Sequence, residues 1–191
     1  MKIVKLINLI IFTIFLSLIA STSIHAQEVE KGQIPAQFLE PTLKKLPSDI
    51  AIWDEEETMP ALKGETDVLL IDTRPRSFYD DGTFKEAIFL LYHKDEQLTD
   101  ANKDETDVLT KDSLMKAMEE SGKNKVMFFC QGPKCHRSYN AALRAVSEWG
   151  LSPDQVVWGR AGYPVLLQHI QADPKLERKM NKYFKGKVVS Q

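Results

Sequence analysis

Among the side chains able to act as nucleophile, base or metal ligand, two thiols stand out by their spacing. Cys130 and Cys135 bracket Gln131, Gly132, Pro133 and Lys134, and His136 and Arg137 follow directly. Cys130 ends the apolar run Val126, Met127, Phe128, Phe129. From Cys135 onward, Tyr139, Ala142, Leu143, Val146 and Trp149 recur at helical spacing. A thiol so placed lies between a buried strand and the unpaired N–H groups of a helix start. The helix dipole, with Lys134 and Arg137 nearby, favours a thiolate over a thiol. Gly132 lets the backbone bend close around the sulfur, while Pro133 stiffens the turn and removes one amide donor. These are the requirements of a nucleophilic cysteine. The alternative is a small buried hydrophobe at a strand end, and the residues by themselves leave it open. His93, His136 and His169 are scattered, and no Cys/His cluster has metal-ligand spacing. No metal or other cofactor is expected.

The elements that must position this loop are legible around it. The continuous apolar run Val68 to Asp72 predicts a strand buried on both faces, as parallel sheets require. A turn, a short helix and a Gly82 stop follow it. Residues 86–93 predict a second strand, residues 94–110 a charged surface loop, and residues 111–122 a helix. That helix is expected to bury Leu114, Met115 and Met118 and to stop at Gly122. Residues 125–130 predict the strand before the loop, the helix after it is expected to stop at Gly150, and residues 155–159 predict a fourth strand. Two helices then close the chain, the second basic and exposed. Residues 50–64 predict a short apolar opening and a helix start broken by Pro60. Strands alternating with helices make the fold class α/β with a mainly parallel sheet, in a single domain.

The first residues read as a targeting segment. Lys2 and Lys5 precede an uncharged apolar run, a polar stretch and the small Ala26, the order of a secretory signal peptide over residues 1–26. An uncleaved anchor is the rival, although the run is shorter than the roughly 20 residues a spanning helix needs. Cleavage removes two lysines and no acid, making a chain of formal charge −2 still more acidic. That balance argues against nucleic acid as a partner. Export to the periplasm or beyond is expected, with no stable membrane insertion after cleavage. In such oxidising surroundings a Cys pair is ordinarily read as a disulfide. One bridge across so tiny a loop would contribute little as a global staple. Residues 27–50, with Pro35, Pro41 and Pro47, read as an irregular extension.

Here the sequence resembles rhodanese domains. VLLIDTRPRSFYDDGTFKEAIFL resembles their opening, a strand ending in Asp-x-Arg, a short helix and Gly-x-x-x-x-Ala. KVMFFCQGPKCHRSYNAALRAVSEWG resembles their strand, six-residue active loop and following helix, and QVVWGRAGYPVLL their last strand and Gly-containing turn. The form Cys-x-Gly-Pro-Lys-Cys resembles a subgroup of exported bacterial members. The resemblance implies a rhodanese-like domain over residues 51–172, followed by a basic C-terminal helix or tail over 173–191. It implies a catalytic Cys130 that holds sulfane sulfur as a persulfide. The sulfur comes from a small anionic donor such as thiosulfate and goes to a thiophilic acceptor, with a redox or sulfur-carrier protein as a further partner. Gln131, Gly132, Pro133, Lys134, Cys135 and Arg137 would form the anion-binding loop, and Asp72 and Arg74 a structural support. Four positions depart from the family pattern. Thr83 stands where many members have His, Lys85-Glu86 replace Pro-Gly, Ala161 replaces the first Gly of a pair, and Leu166 stands where Trp is common.

Other functions compete with sulfur transfer. A phosphatase or arsenate reductase loop needs Cys-x5-Arg, but His136 occupies that place and Arg137 comes one later. A thiol–disulfide protein cycling Cys130 and Cys135, and a binding domain without turnover, also fit the residues. Cys135 itself reads either as a resolving thiol or as a small residue fixing the helix start.

Overall fold

Short apolar runs flanked by turn residues can be buried on both faces inside a parallel sheet. They are so placed in the computed structural model, which describes Val29, residues 33–92 and residues 108–186. The strands among the described residues are β1 (Ala51–Trp53), β2 (Val68–Asp72), β3 (Gly82–Phe84), β4 (Ile88–Phe89), β5 (Lys125–Phe129), β6 (Val156–Gly159) and β7 (Phe184–Gly186). Five form one parallel sheet in the order β1-β6-β5-β2-β4, while β3 and β7 make a separate antiparallel pair. Asp72 lies opposite Phe129, and Phe129 opposite Gly159. Three neighbouring strands therefore end level, and Thr73, Cys130 and Arg160 leave the sheet side by side.

Alternation along the strands divides the core in two. Leu69, Ile71, Val126, Phe128, Val156 and Trp158 face one layer; Val68, Leu70, Met127, Phe129 and Val157 face the other. The helices are α1 (Glu55–Leu62), α2 (Arg76–Asp81), α3 (Lys111–Ser121), α4 (His136–Ser147), α5 (Gly162–Gln171) and α6 (Pro174–Met180). Leu114 and Ala117 of α3 and Tyr139 and Ala142 of α4 pack on the first face. Leu62 of α1, Leu166 and Ile170 of α5, and Met180 of α6 pack on the second. The result is one α/β domain in three layers.

Several elements differ from the sequence expectation. Pro60 does not break α1, which continues through Ala61 and Leu62. Those two residues are buried, and only they follow the proline, so little helix remains for it to disrupt. In α3, Thr110 caps the start by accepting the Ser113 N–H at 3.1 Å, and Gly122 ends it with φ 66°. Its buried stripe is Leu114, Ala117 and Met118; Met115 is 44 % exposed, one residue's rotation away from the stripe. Within residues 86–93 only Ile88–Phe89 form a strand, and Leu91 bridges singly to Val108. His93 and residues 94–107 lie outside the described residues. Val108 and Leu109, expected in a surface loop, are buried because they lead into the capped start of α3. Helix α4 stops at Ser147, so buried Trp149 and Gly150 (φ 85°) belong to the turn beyond it. At the C-terminal end α6 stops at Met180, and Phe184 enters β7 beside β3.

The extension lies on the domain. Ile34, Phe38, Leu46 and Ile50 are buried in the first core layer. Arg160 clasps the segment: its guanidinium donates to the Phe38, Glu40 and Pro41 carbonyls and to both oxygens of Asp54. Further back, Asn140 of α4 accepts the Val29 N–H at 3.0 Å and donates to its carbonyl. Among the described residues no helix is long and apolar enough to cross a membrane. The targeting segment at residues 1–26 lies outside them.

Candidate active site

The loop after β5 stands at the carboxyl edge of the sheet, where the strand order reverses around β2 and β5. Open α/β sheets bind ligands at such a position. Cys130 is 1 % exposed and Cys135 half-buried as the residue before α4. Their sulfurs are joined in a disulfide, with Cα atoms 6.0 Å apart. That span falls in the ordinary disulfide range. The loop is thus described in its oxidised state, and a thiolate at Cys130 requires reduction first.

The loop's shape is set from both sides. The Cys135 N–H donates to the Gly132 carbonyl at 2.9 Å, which folds the far rim back toward Cys130. The Tyr163 N–H donates to the Cys130 carbonyl at 2.9 Å. Between them, Gly162 (φ 68°) presses against the loop, and a Cβ there would stand 2.5 Å from the Cys130 carbonyl oxygen and from the Gly132 nitrogen. Beneath the loop, the Phe129 carbonyl accepts from both the N–H and the hydroxyl of Thr73, at 3.1 and 2.8 Å. The buried Trp158 N–H donates to Ser138 at 3.1 Å, which ties the first turn of α4 to β6.

Gln131, Pro133 and Arg137 are half-buried, Gly132 is buried with φ 142°, and Lys134 is exposed. His136 is the first residue of α4 and also half-buried. Two recesses flank the loop. One, of about 820 Å³, is lined by Gln131, Arg74, Phe78, Tyr163 and Leu167. The other, of about 380 Å³, is lined by Pro133, Leu39, Val165, Arg160 and His169. The Tyr163 hydroxyl is buried without a hydrogen-bond partner among the described residues. Burial raises its pKa, Asp72 adds to the rise, and Arg74 opposes it.

Asp72 and Arg74 form a buried ion pair, 0 % and 2 % exposed at their side chains. The carboxylate accepts from Arg74 Nε and Nη2 and from the Arg74 backbone N–H. It also accepts the Thr83 hydroxyl at 2.7 Å. Arg74 donates in turn to the Gly82 carbonyl and lies 4.5 Å over the Tyr163 ring. Asp72 thus ties down the Arg74 backbone at the strand end beside the loop, in addition to its ion pair. Arg74 lines the larger recess, and Thr73, between the two, holds the end of β5 through the Phe129 carbonyl. The sequence pattern does not mark Thr73, Ser138, Arg160 and Tyr163 as site-forming residues. Only the hydroxyl directly after the Asp72 strand end gives any hint of the first. Among the described residues no three His, Cys, Asp or Glu side chains are grouped as metal ligands.

A family model described as "Rhodanese-like domain" matches residues 56–166, more than half of the chain. The chain belongs to the rhodanese-like family. None of the curated proteins compared with it matches. Among solved structures it is similar to an As-Sb reductase from Leishmania major, with 17 % identity over 73 % of this chain and 87 % of that one, at a TM-score of 0.49. It is also similar to a Rhodopseudomonas palustris protein described as a possible tyrosine phosphatase, with 21 % identity over 64 % and 83 % and a TM-score of 0.44. A rhodanese-like domain from Anabaena sp. gives 16 % identity over 73 % and 81 %, with a TM-score of 0.38. Likenesses of this strength bear on neither substrate nor mechanism.

Proposed function

We propose that the protein is an exported sulfurtransferase that carries sulfane sulfur as a persulfide on Cys130. The observation that carries this reading is the position of Cys130, buried at the level carboxyl edge of the sheet under the start of α4. Once reduced, the Cys130 thiolate attacks the outer sulfur of a small anionic donor such as thiosulfate. The donor's S–S bond breaks, sulfite leaves, and the persulfide anion remains on Cys130. Pro133 has no N–H, and the Cys135 N–H is given to Gly132. The anion is then held by the loop's remaining amides, in a site whose burial strengthens each such bond. Transfer to a thiophilic acceptor restores the thiolate. Export rests on the order of basic start, apolar run and Ala26.

The test is the sulfite that the reduced protein liberates from thiosulfate and the thiocyanate that forms when cyanide is present as the acceptor. Both products are expected. Cys130→Ser should form neither and lose turnover by orders of magnitude while keeping its fold. Formation of both by that variant would remove Cys130 from the role. The Cys130–Cys135 disulfide also favours a second reading, a thiol–disulfide protein without sulfur transfer. Under that reading thiosulfate liberates no sulfite.

A further inference from the structure

The two cysteines of the loop are not equivalent. Cys130 is buried, with its carbonyl pinned by the Tyr163 amide, whereas Cys135 is half-buried at the rim. The Cys135–Gly132 hydrogen bond and the close seat of Gly162 hold the loop in the folded form that lets the sulfurs bond. A persulfide formed on Cys130 is therefore born within reach of a second thiol. An attacking group held in place by the fold reacts with the advantage of an intramolecular step. The product of its attack on Cys130 Sγ is the bond the structure contains.

We propose that Cys135 is the second catalytic residue of the loop and discharges the Cys130 persulfide internally. The protein then releases hydrosulfide and draws on a dithiol reductant as its second substrate. This rests on the sulfurtransferase reading. In the first step the Cys130 thiolate takes the outer sulfur of thiosulfate and releases sulfite. In the second, the Cys135 thiol attacks Cys130 Sγ, and the bond to the outer sulfur breaks. The electron pair and the thiol proton leave with that sulfur as hydrosulfide, and the disulfide forms. The outer sulfur gains two electrons and the cysteine pair loses two. In the third, a dithiol supplies two electrons, becoming a disulfide and restoring both thiols. It enters at Cys135, the more exposed sulfur, and expels Cys130 as the leaving thiolate beneath the amides of α4.

A single-turnover experiment on the full protein tests this. Reduced protein, freed of reductant, is mixed with thiosulfate, and sulfite, hydrosulfide, free thiols and intact mass are measured. Wild type is expected to release one sulfite and one hydrosulfide per chain, to lose both thiols and to retain no added sulfur. Cys135→Ala and Cys135→Ser are expected to release sulfite, keep one added sulfur and yield no hydrosulfide until an external thiol is supplied. Wild type that stably keeps the added sulfur, with both variants behaving alike, overturns the role of Cys135 and leaves sulfur transfer standing. Failure of wild type and variants alike to release sulfite overturns the sulfurtransferase reading itself.

Discussion

At the scale of single residues, the site depends on buried polar groups held by close hydrogen-bond partners, the Tyr163 hydroxyl excepted. Thr83 is the clearest case. The rhodanese pattern often carries His at this position, and here a hydroxyl 2.7 Å from Asp72 completes the carboxylate's set of donors. Thr83→Val keeps the shape and deletes the bond, so a loss of about 1.5–3 kcal/mol in unfolding free energy is expected. Denaturation by urea measures it. A loss near zero would mean that the ion pair with Arg74 satisfies Asp72 unaided. The sequence exposed Cys130 and its loop because a strand end, a glycine and a helix start lie within a few residues of one another. It did not expose the work of Thr73 or Arg160, because their partners lie on strands and segments brought together only by folding.

At the scale of elements, the loop is shaped by what presses on it from α5. Gly162 adopts φ 68°, which a side chain rarely tolerates, and a Cβ there would meet three backbone atoms of the loop. Gly162→Ala is expected to displace the loop, lowering persulfide formation by at least about tenfold and destabilising the domain by about 1–3 kcal/mol. Thiosulfate:cyanide turnover and thermal unfolding measured together check it. Unchanged turnover would show that the loop tolerates the shift. Strands β2, β5 and β6 were readable because apolar runs of this length carry their own signature. The short β3 and β7 were not, since each has three residues and is defined by its partner alone. Met115 and Pro60 misled for related reasons: periodicity fixes a helical stripe to within a residue, and burial of Ala61 and Leu62 outweighs a proline near a helix end.

At the scale of the whole molecule, the clasp of Arg160 on Asp54 and on the carbonyls of residues 38–41 fastens the extension beside the loop. Burial alone would raise the Asp54 pKa, but the hydrogen bonds from Arg160 and Lys44 outweigh it and hold the carboxyl below its ordinary 3.8. A carboxylate depressed in the folded state contributes stability that is complete above its unfolded pKa and is lost as pH falls through the folded one. Hydrogen-exchange protection of residues 33–50 should accordingly hold at neutral pH and fall in acid below about pH 4. In Asp54→Asn the protection should be lower throughout and lose that acid dependence. Equal profiles would show that the buried Phe38, Leu46 and Ile50 retain the segment without the clasp. The antiparallel pair of β3 and β7 carries a consequence for the order of assembly. Gly82, whose carbonyl receives Arg74, lies in β3, and its partner Gly186 lies in β7, which follows the other described strands and helices along the chain. A polypeptide emerging from its N-terminal end makes the strand, loop and helix around Cys130 long before it makes β7. The Cys130 loop is thus made in a growing chain while β3 still waits for its partner in that pair. Closure of this ribbon has to wait for residues 184–186, and a chain stopped short of them would present β3 as an unpaired edge to its neighbours.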